Sequence, residues 1–377
     1  MPDYAKPLDR DARDSGKQAP GQLDQRGDAA RAQANELLAA GAAPGAARDK
    51  LPEGVDLSSM ALTFTLAKGI SIDAGSATIQ TKQDTQGRAS VDKTGLWFDF
   101  SPGVFLDVPW PAGDMELDRV GWSFESGKPV VNLRKTGGGM DFTGKARDAF
   151  GEKLQGAMAG TAVAKQGYDP LADGDLAGTL KAVVGNVQGM GGQGGGGGEM
   201  KAGPEDIRDL GAEATVSLGK GFAQDGLRIA PGGALTVSVA SKSTGKDIAQ
   251  AKDGGAQAMA EAANLTRISF ASDAFQVVDA AGAPVATLSR ISVGRGGKVS
   301  IDEVSFPDGN AGAGWQAVAK ALDQAAAKSG GAVKGGAQPT KAGVEAALST
   351  AVQELLGTYA TVIPGVDLRG IFGAGKG

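Results

Sequence analysis

The chain has 377 residues, 38 Lys and Arg against 43 Asp and Glu, a net charge of -5, 61 Gly, and neither Cys nor His. Without thiol or imidazole there is no disulfide, no Cys or His zinc site, no thiolate nucleophile and no Ser-His-Asp triad. The mildly acidic balance offers no electrostatic footprint for a phosphate backbone, so no nucleic-acid partner is expected.

Residues 1–50 mix Pro, Gly, Gln, Asp and Arg with few large apolar groups. Such a segment cannot bury enough surface to offset the entropy of ordering and reads as a disordered tail, with a short Ala-rich helix over 28–40. The first residues carry charges of both signs and no apolar h-region, so no Sec signal peptide is expected and the chain reads as cytoplasmic when synthesised, with non-classical export left open. Nowhere is there a run of about 18 apolar residues, the length a spanning helix requires.

From Val55 the pattern has period two. Leu62, Phe64 and Leu66 alternate with Thr63 and Thr65, and Ile70 and Ile72 alternate with Ser71 and Asp73. The same strand signal returns at Leu96, Phe98 and Phe100, at Val104, Leu106 and Val108, at Val120, Trp122 and Phe124, and at Val131 and Leu133. After Gly144 the period becomes helical, with Phe150, Leu154 and Met158 on one stripe and Leu176, Leu180, Val183 and Val187 on a second. Residues 189–204 (GMGGQGGGGGEMKAGP) hold too many glycines to sustain a fold and read as a flexible linker.

Strand patterning resumes at Val216 and Leu218, Leu227 and Ile229, Leu235 to Val239, Ile268 and Phe270, Phe275 and Val277, Ile291 and Val293, and Val299 and Ile301. Two amphipathic helices follow, one aligning Trp315, Val318, Ala319 and Leu322, the other Val344, Leu348, Val352 and Leu355. Residues 246–265 read as an inserted loop with a weak helix, and 358–377 as a tail with enough apolar residues to dock. The predicted fold class is therefore α+β. Two tandem modules, 51–188 and 205–357, each place a curved, mainly antiparallel sheet before two amphipathic helices, an internal duplication of element order.

Several motifs invite a catalytic reading. Gly139, Gly144 and Lys145 fit the frame of a phosphate-binding loop, but Ala146 stands where Ser or Thr should hold Mg²⁺, and the neighbouring strands look like hairpins rather than a parallel sheet. Gly189, Gly191 and Gly194 belong to a glycine run, and Ser243 with Lys246 has no companion motif. Asp169, Asp173 and Asp175 lack the spacing of a calcium loop and suit a helix cap better. Asp99, Asp107, Asp114 and Glu116 could flank a scissile glycosidic bond, but read more plainly as strand carboxylates facing solvent. The chain is expected to be non-enzymatic, with no cofactor and no metal.

The segment GLWFDFSPGVFLDVPWPAG concentrates aromatics in a chain with only 12 Phe, 4 Trp and 3 Tyr. Alternation puts Leu96, Phe98 and Phe100 on one strand face and Trp97 and Asp99 on the other, while Phe105 and Asp107 oppose Val104, Leu106 and Val108. Trp97, Phe98, Phe100, Phe105, Trp110 and Trp122 form the candidate ligand-binding set. Two readings stand: a second apolar surface serving as groove or interfacial anchor, or a strand pair buried on both sides.

The order of strands then helices, and phrases such as MELDRVGWSFESGKPVVNL and LSRISVGRGGKVSIDEVSF, resemble two groups: the tubular lipid-binding modules of the bactericidal/permeability-increasing protein family and AsmA-like bacterial lipid-binding proteins. That resemblance implies a lipid or other hydrophobic ligand held in an apolar groove, and a peripheral association with membranes. The alternative expectation is a structural or cargo protein of a bacterial secretion or toxin system, meeting a protein partner through residues 1–50.

Overall fold

The computed structural model describes residues 51–73, 78–107, 113–158, 168, 200–201, 205–244, 247, 264–328, 336–359, 362–363 and 368–373. The expected tail over 1–50, the helix expected over 176–187, Trp110, and most of the linker and of the 246–265 insertion lie outside them.

The first half supplies β1 (Val55–Leu66), β2 (Ser71–Asp73), β3 (Thr78–Gln80), β4 (Thr85–Asp92), β5 (Gly95–Asp107), β6 (Met115–Ser123), β7 (Lys128–Lys135) and helix α1 (Thr143–Met158). Then come β8 (Met200–Lys201), β9 (Ile207–Leu218), β10 (Phe222–Gln224), β11 (Leu227–Ile229), β12 (Gly233–Ser241), β13 (Leu265–Ala271), β14 (Phe275–Val278), β15 (Pro284–Gly294) and β16 (Val299–Ser305). Helices α2 (Ala311–Lys328), α3 (Lys341–Ala347), α4 (Ser349–Tyr359) and α5 (Leu368–Phe372) end the chain. The fold is α+β and mostly β: the described strands form one antiparallel sheet.

The long strands β1 and β9 pair antiparallel at its centre, with Leu62 opposite Ala212 and Met60 opposite Ala214. From that seam the pairing runs β1–β4–β5–β6–β7 on one side and β9–β12–β13–β15–β16 on the other. The short strands attach differently: β3, carrying β2, pairs β5 directly, whereas β11, carrying β10, reaches β15 through β14. The sequence pattern does not disclose the β1–β9 seam, because alternation shows which face of a strand is buried and not which strand lies beside it. Two further differences concern boundaries. The two expected strands starting at Leu96 and Val104 are one strand, β5, ending at Asp107, with a register shift between Asp99 and Val104, and Val108 lies outside the described residues. Within the expected flexible linker, Met200 and Lys201 form β8 and pair with Ile72 and Ser71.

Register divides the sheet into two chemically distinct faces. On one lie Met60, Leu62, Phe64 and Leu66, continued sideways by Ala212, Ala214, Val216 and Leu218 and by Leu235, Val237 and Val239. The helices pack on this apolar face. Leu154 and Met158 of α1 join Val91, Leu96, Trp122 and Phe124, while Ala146 and Phe150 lie against Val104, Leu106, Met115, Leu117, Val131 and Leu133. Over the second half, Val318 and Leu322 of α2, Val344 of α3, Val352 and Leu355 of α4, and Leu368 and Phe372 of α5 close a larger core with Phe270, Phe275, Leu288 and Ile291. The 358–377 tail thus docks, through Val362, Ile363, Leu368 and Phe372.

The opposite face is polar and knitted across strands. Arg88 Nε donates to Glu213 Oε2 at 3.1 Å across the β4–β1–β9 seam. Thr215 and Thr236 hydroxyls meet at 2.9 Å, Ser269 and Ser292 at 3.1 Å, and Ser292 Oγ donates to Asp302 Oδ2 at 2.6 Å. At the β16 edge Glu345 of α3 accepts the Ile301 N–H at 2.8 Å, which removes one free edge donor from pairing with another strand.

Candidate ligand-binding face

The β1–β4–β5–β6 registers build transverse rows on the apolar face. The first is Met60–Val91–Leu96–Trp122, the second Leu62–Ala89–Phe98–Val120, the third Phe64–Gly87–Phe100, and the fourth Leu66–Thr85. At about 3.4 Å per residue, the span from Met60 to Leu66 measures about 20 Å. Burial falls away in the middle of this array. Val91, Leu96 and Trp122 are buried, whereas Leu62, Phe64, Leu66, Phe98, Phe100 and Val120 are all partly exposed. Full burial of one such side chain is worth about 1.5–3 kcal/mol, and these six, five of them packed against the neighbouring buried clusters, each leave part of that apolar surface exposed.

Gly87 shapes the centre of the array. A Cβ there would stand 2.1 Å from Phe64 Cε2, so the bare glycine lets the Phe64 ring lie across β4 instead of standing upright.

The six residues named from the sequence divide between the two faces. Phe98 and Phe100 lie in the partly exposed rows. Trp122 shares their face but is buried, with 2% exposure, among Phe124, Leu154 and Met158. Trp97 and Phe105 lie on the polar face, and Trp110 is outside the described residues. Trp97 covers two strand glycines: a Cβ on Gly95 would sit 2.3 Å from its Cζ2, and one on Gly121 2.6 Å from its Cε3. Arg119 stacks on that indole, 5.3 Å from the ring centroid, while its guanidinium pairs with Asp99. Lys82 covers Phe105 in the same manner at 4.2 Å and binds Asp114 at 3.0 Å. These two aromatics are cross-strand packing units with cationic lids, not an apolar opening.

Residues that sequence reasoning did not assign to the site, Leu62, Phe64, Leu66 and Val120, complete the rows. Their alternation was visible in the sequence, but their adjacency to Phe98 and Phe100 follows from strand order and register.

The carboxylates serve neighbouring strands. Glu116, 4% exposed, accepts from the Gly103 N–H at 2.9 Å and from Arg134 at 2.6 Å, and Arg134 also reaches Asp118 at 3.3 Å. Asp107 accepts from Gln80 at 3.4 Å. The Lys68 N–H, followed by Arg208, holds the Asp84 carboxyl below its usual range. The Thr143 hydroxyl and N–H do the same for Asp141 at the start of α1. Burial raises the Tyr359 phenol. Lys145 lies on α1, 5.5 Å from the Phe142 ring centroid, and the strand leading to it, β7, is antiparallel to β6, so the parallel context of a phosphate loop is missing. Among the described residues no group of three or more acidic side chains could hold a metal, and no helix is long and apolar enough to cross a membrane.

No protein-family model matches the chain, and neither a curated protein nor a solved structure was found that is significantly similar to it.

Proposed function

We propose that this chain is a non-enzymatic binding protein for a lipid or similarly elongated hydrophobic ligand, held on the apolar face of the sheet along the Leu62–Phe98–Val120 and Phe64–Phe100 rows. The observation that carries the reading is the band of partly exposed apolar side chains between fully buried cores on the same face. A contiguous band of partly exposed apolar side chains on a soluble domain commonly marks a place where a ligand or partner sits. The site's walls are hydrocarbon and aromatic, which suits an acyl chain and offers no set of groups for bond cleavage.

The matching order of pairing on either side of the β1–β9 seam supports two tandem sheet-plus-helix modules, 51–188 and 205–357, derived by duplication. It is in keeping with the resemblance to tubular lipid-binding and AsmA-like proteins, and so with loading at a membrane surface. Native mass spectrometry of the purified full chain, followed by organic extraction, tests the proposal. A co-purifying lipid, or a mass increment after incubation with phospholipid vesicles, is the expected result. A bare polypeptide mass that vesicles and free fatty acids leave unchanged would overturn it.

A further inference from the structure

At the end of the apolar rows lies a polar atom that the fold leaves unused. Trp122 Nε1–H is buried and has no hydrogen-bond partner. Buried donors are almost always paired, and an orphan forfeits the hydrogen bonds that water gave it in the unfolded chain. Trp122 stands one row beyond Phe98 and Val120, about 7 Å along the strands, in the same cluster as the partly exposed Met60, Leu62 and Phe98. An apolar ligand lying on those rows would end beside it.

Resting on the binding proposal above, we infer that the ligand is a neutral acyl ester whose carbonyl oxygen accepts the Trp122 Nε1–H, its hydrocarbon chain running over Phe98, Phe100 and Phe64. Neutrality follows from the neighbours. The described hydrophobic residues packed there, Val91, Leu96, Phe124, Leu154 and Met158 with Met60, Leu62, Phe98, Val120 and Tyr168, carry no charge. A carboxylate there would exchange its full hydration for the Trp122 N–H and apolar walls, whereas an ester carbonyl, uncharged, is satisfied by that one donor. The orphan N–H thus distinguishes an ester-linked chain from a plain hydrocarbon, and the apolar surroundings disfavour a free fatty acid anion.

The test titrates the full chain, with ¹⁵N-labelled indoles, with methyl laurate, with laurate, and with an alkane of the same length. The ester is expected to bind about tenfold more tightly than the alkane, the gain from one recovered hydrogen bond. The Trp122 indole proton should move downfield with the ester and not with the alkane. Trp122→Phe should bring ester and alkane affinities, both measured in the variant, to within about twofold of each other, erasing the tenfold ester preference. Ester binding with an unmoved Trp122 resonance, an undiminished preference in W122F, or laurate binding more tightly than its methyl ester would overturn this inference alone. Failure of the wild-type chain to bind any of the three would overturn the binding proposal and this one with it.

Discussion

Trp97→Ala separates the two faces of the sheet by experiment. The indole covers Gly95 and Gly121 on the polar face and carries Arg119 on its own outer side. Burying a large side chain fully is worth about 3 kcal/mol at the upper end, so a partly exposed one contributes roughly half. The cation–π contact at a partly exposed site adds about 0.5 kcal/mol. The variant should lose about 2 kcal/mol in urea unfolding, seen as a lower midpoint at unchanged slope. Because Trp97 faces away from the Phe98 and Phe100 rows, affinity for methyl laurate should stay within about twofold of wild type, well short of the 1.4 kcal/mol that a tenfold change represents. A tenfold loss of affinity with an unchanged unfolding midpoint would refute the assignment of Trp97 to structure and move the site to the polar face.

Two glycine substitutions should differ in whether they can be rescued. The three atoms nearest the Cβ of Gly87→Ala would all be Phe64 ring atoms, at 2.1, 2.4 and 2.8 Å. Its overpacking cost of about 1–3 kcal/mol should therefore largely disappear in a Gly87→Ala/Phe64→Ala background, as a double-mutant cycle would show. The Cβ of Gly121→Ala would meet the Leu96 carbonyl oxygen at 2.2 Å as well as Trp97; trimming Trp97 leaves that main-chain clash, so thermal unfolding should show no rescue. Arg134→Met leaves the buried Glu116 carboxylate with the Gly103 N–H alone. The usual cost of orphaning a buried ion is about 3–5 kcal/mol, and the 59% exposure of the Arg134 side chain reduces it to about 2 kcal/mol. The Thr143 hydroxyl and N–H hold the folded pKa of Asp141 below its unfolded value. Its stabilising effect is therefore present above that unfolded value and is lost as pH falls through the folded one. Asp141→Ala should be less stable than wild type at neutral pH, and the gap should close in acid titrations monitored by circular dichroism.

Much of the local structure is legible in the sequence because its physics is local. The alternation at Leu62, Phe64 and Leu66 marks β1 and its apolar face, and the Phe150, Leu154, Met158 stripe marks α1 with Leu154 and Met158 buried as the spacing requires. The aligned Val318, Ala319 and Leu322 likewise identify the buried side of α2. What depends on strand neighbours is not legible. The β1–β9 seam, the placing of Phe64 over Gly87, and the pairing of Arg88 with Glu213 join residues far apart in the chain. The aromatic segment shows the limit most plainly. Period two separates Trp97 from Phe98, but only register reveals that Trp97 covers glycines beneath an arginine while Phe98 joins a partly exposed row.

If ligand lies on the helix-bearing face of the sheet, as proposed, residue-resolved carbene labelling should place it there. The full chain would be irradiated with a diazirine-bearing lauroyl ester, with and without excess methyl laurate, and the adducts mapped by fragmentation mass spectrometry. The account requires competable adducts on Leu62, Phe64, Phe98, Phe100 and Val120, and none on Trp97, Phe105 or Arg119. Adducts on the second group, or labelling that excess ester does not suppress, would contradict it.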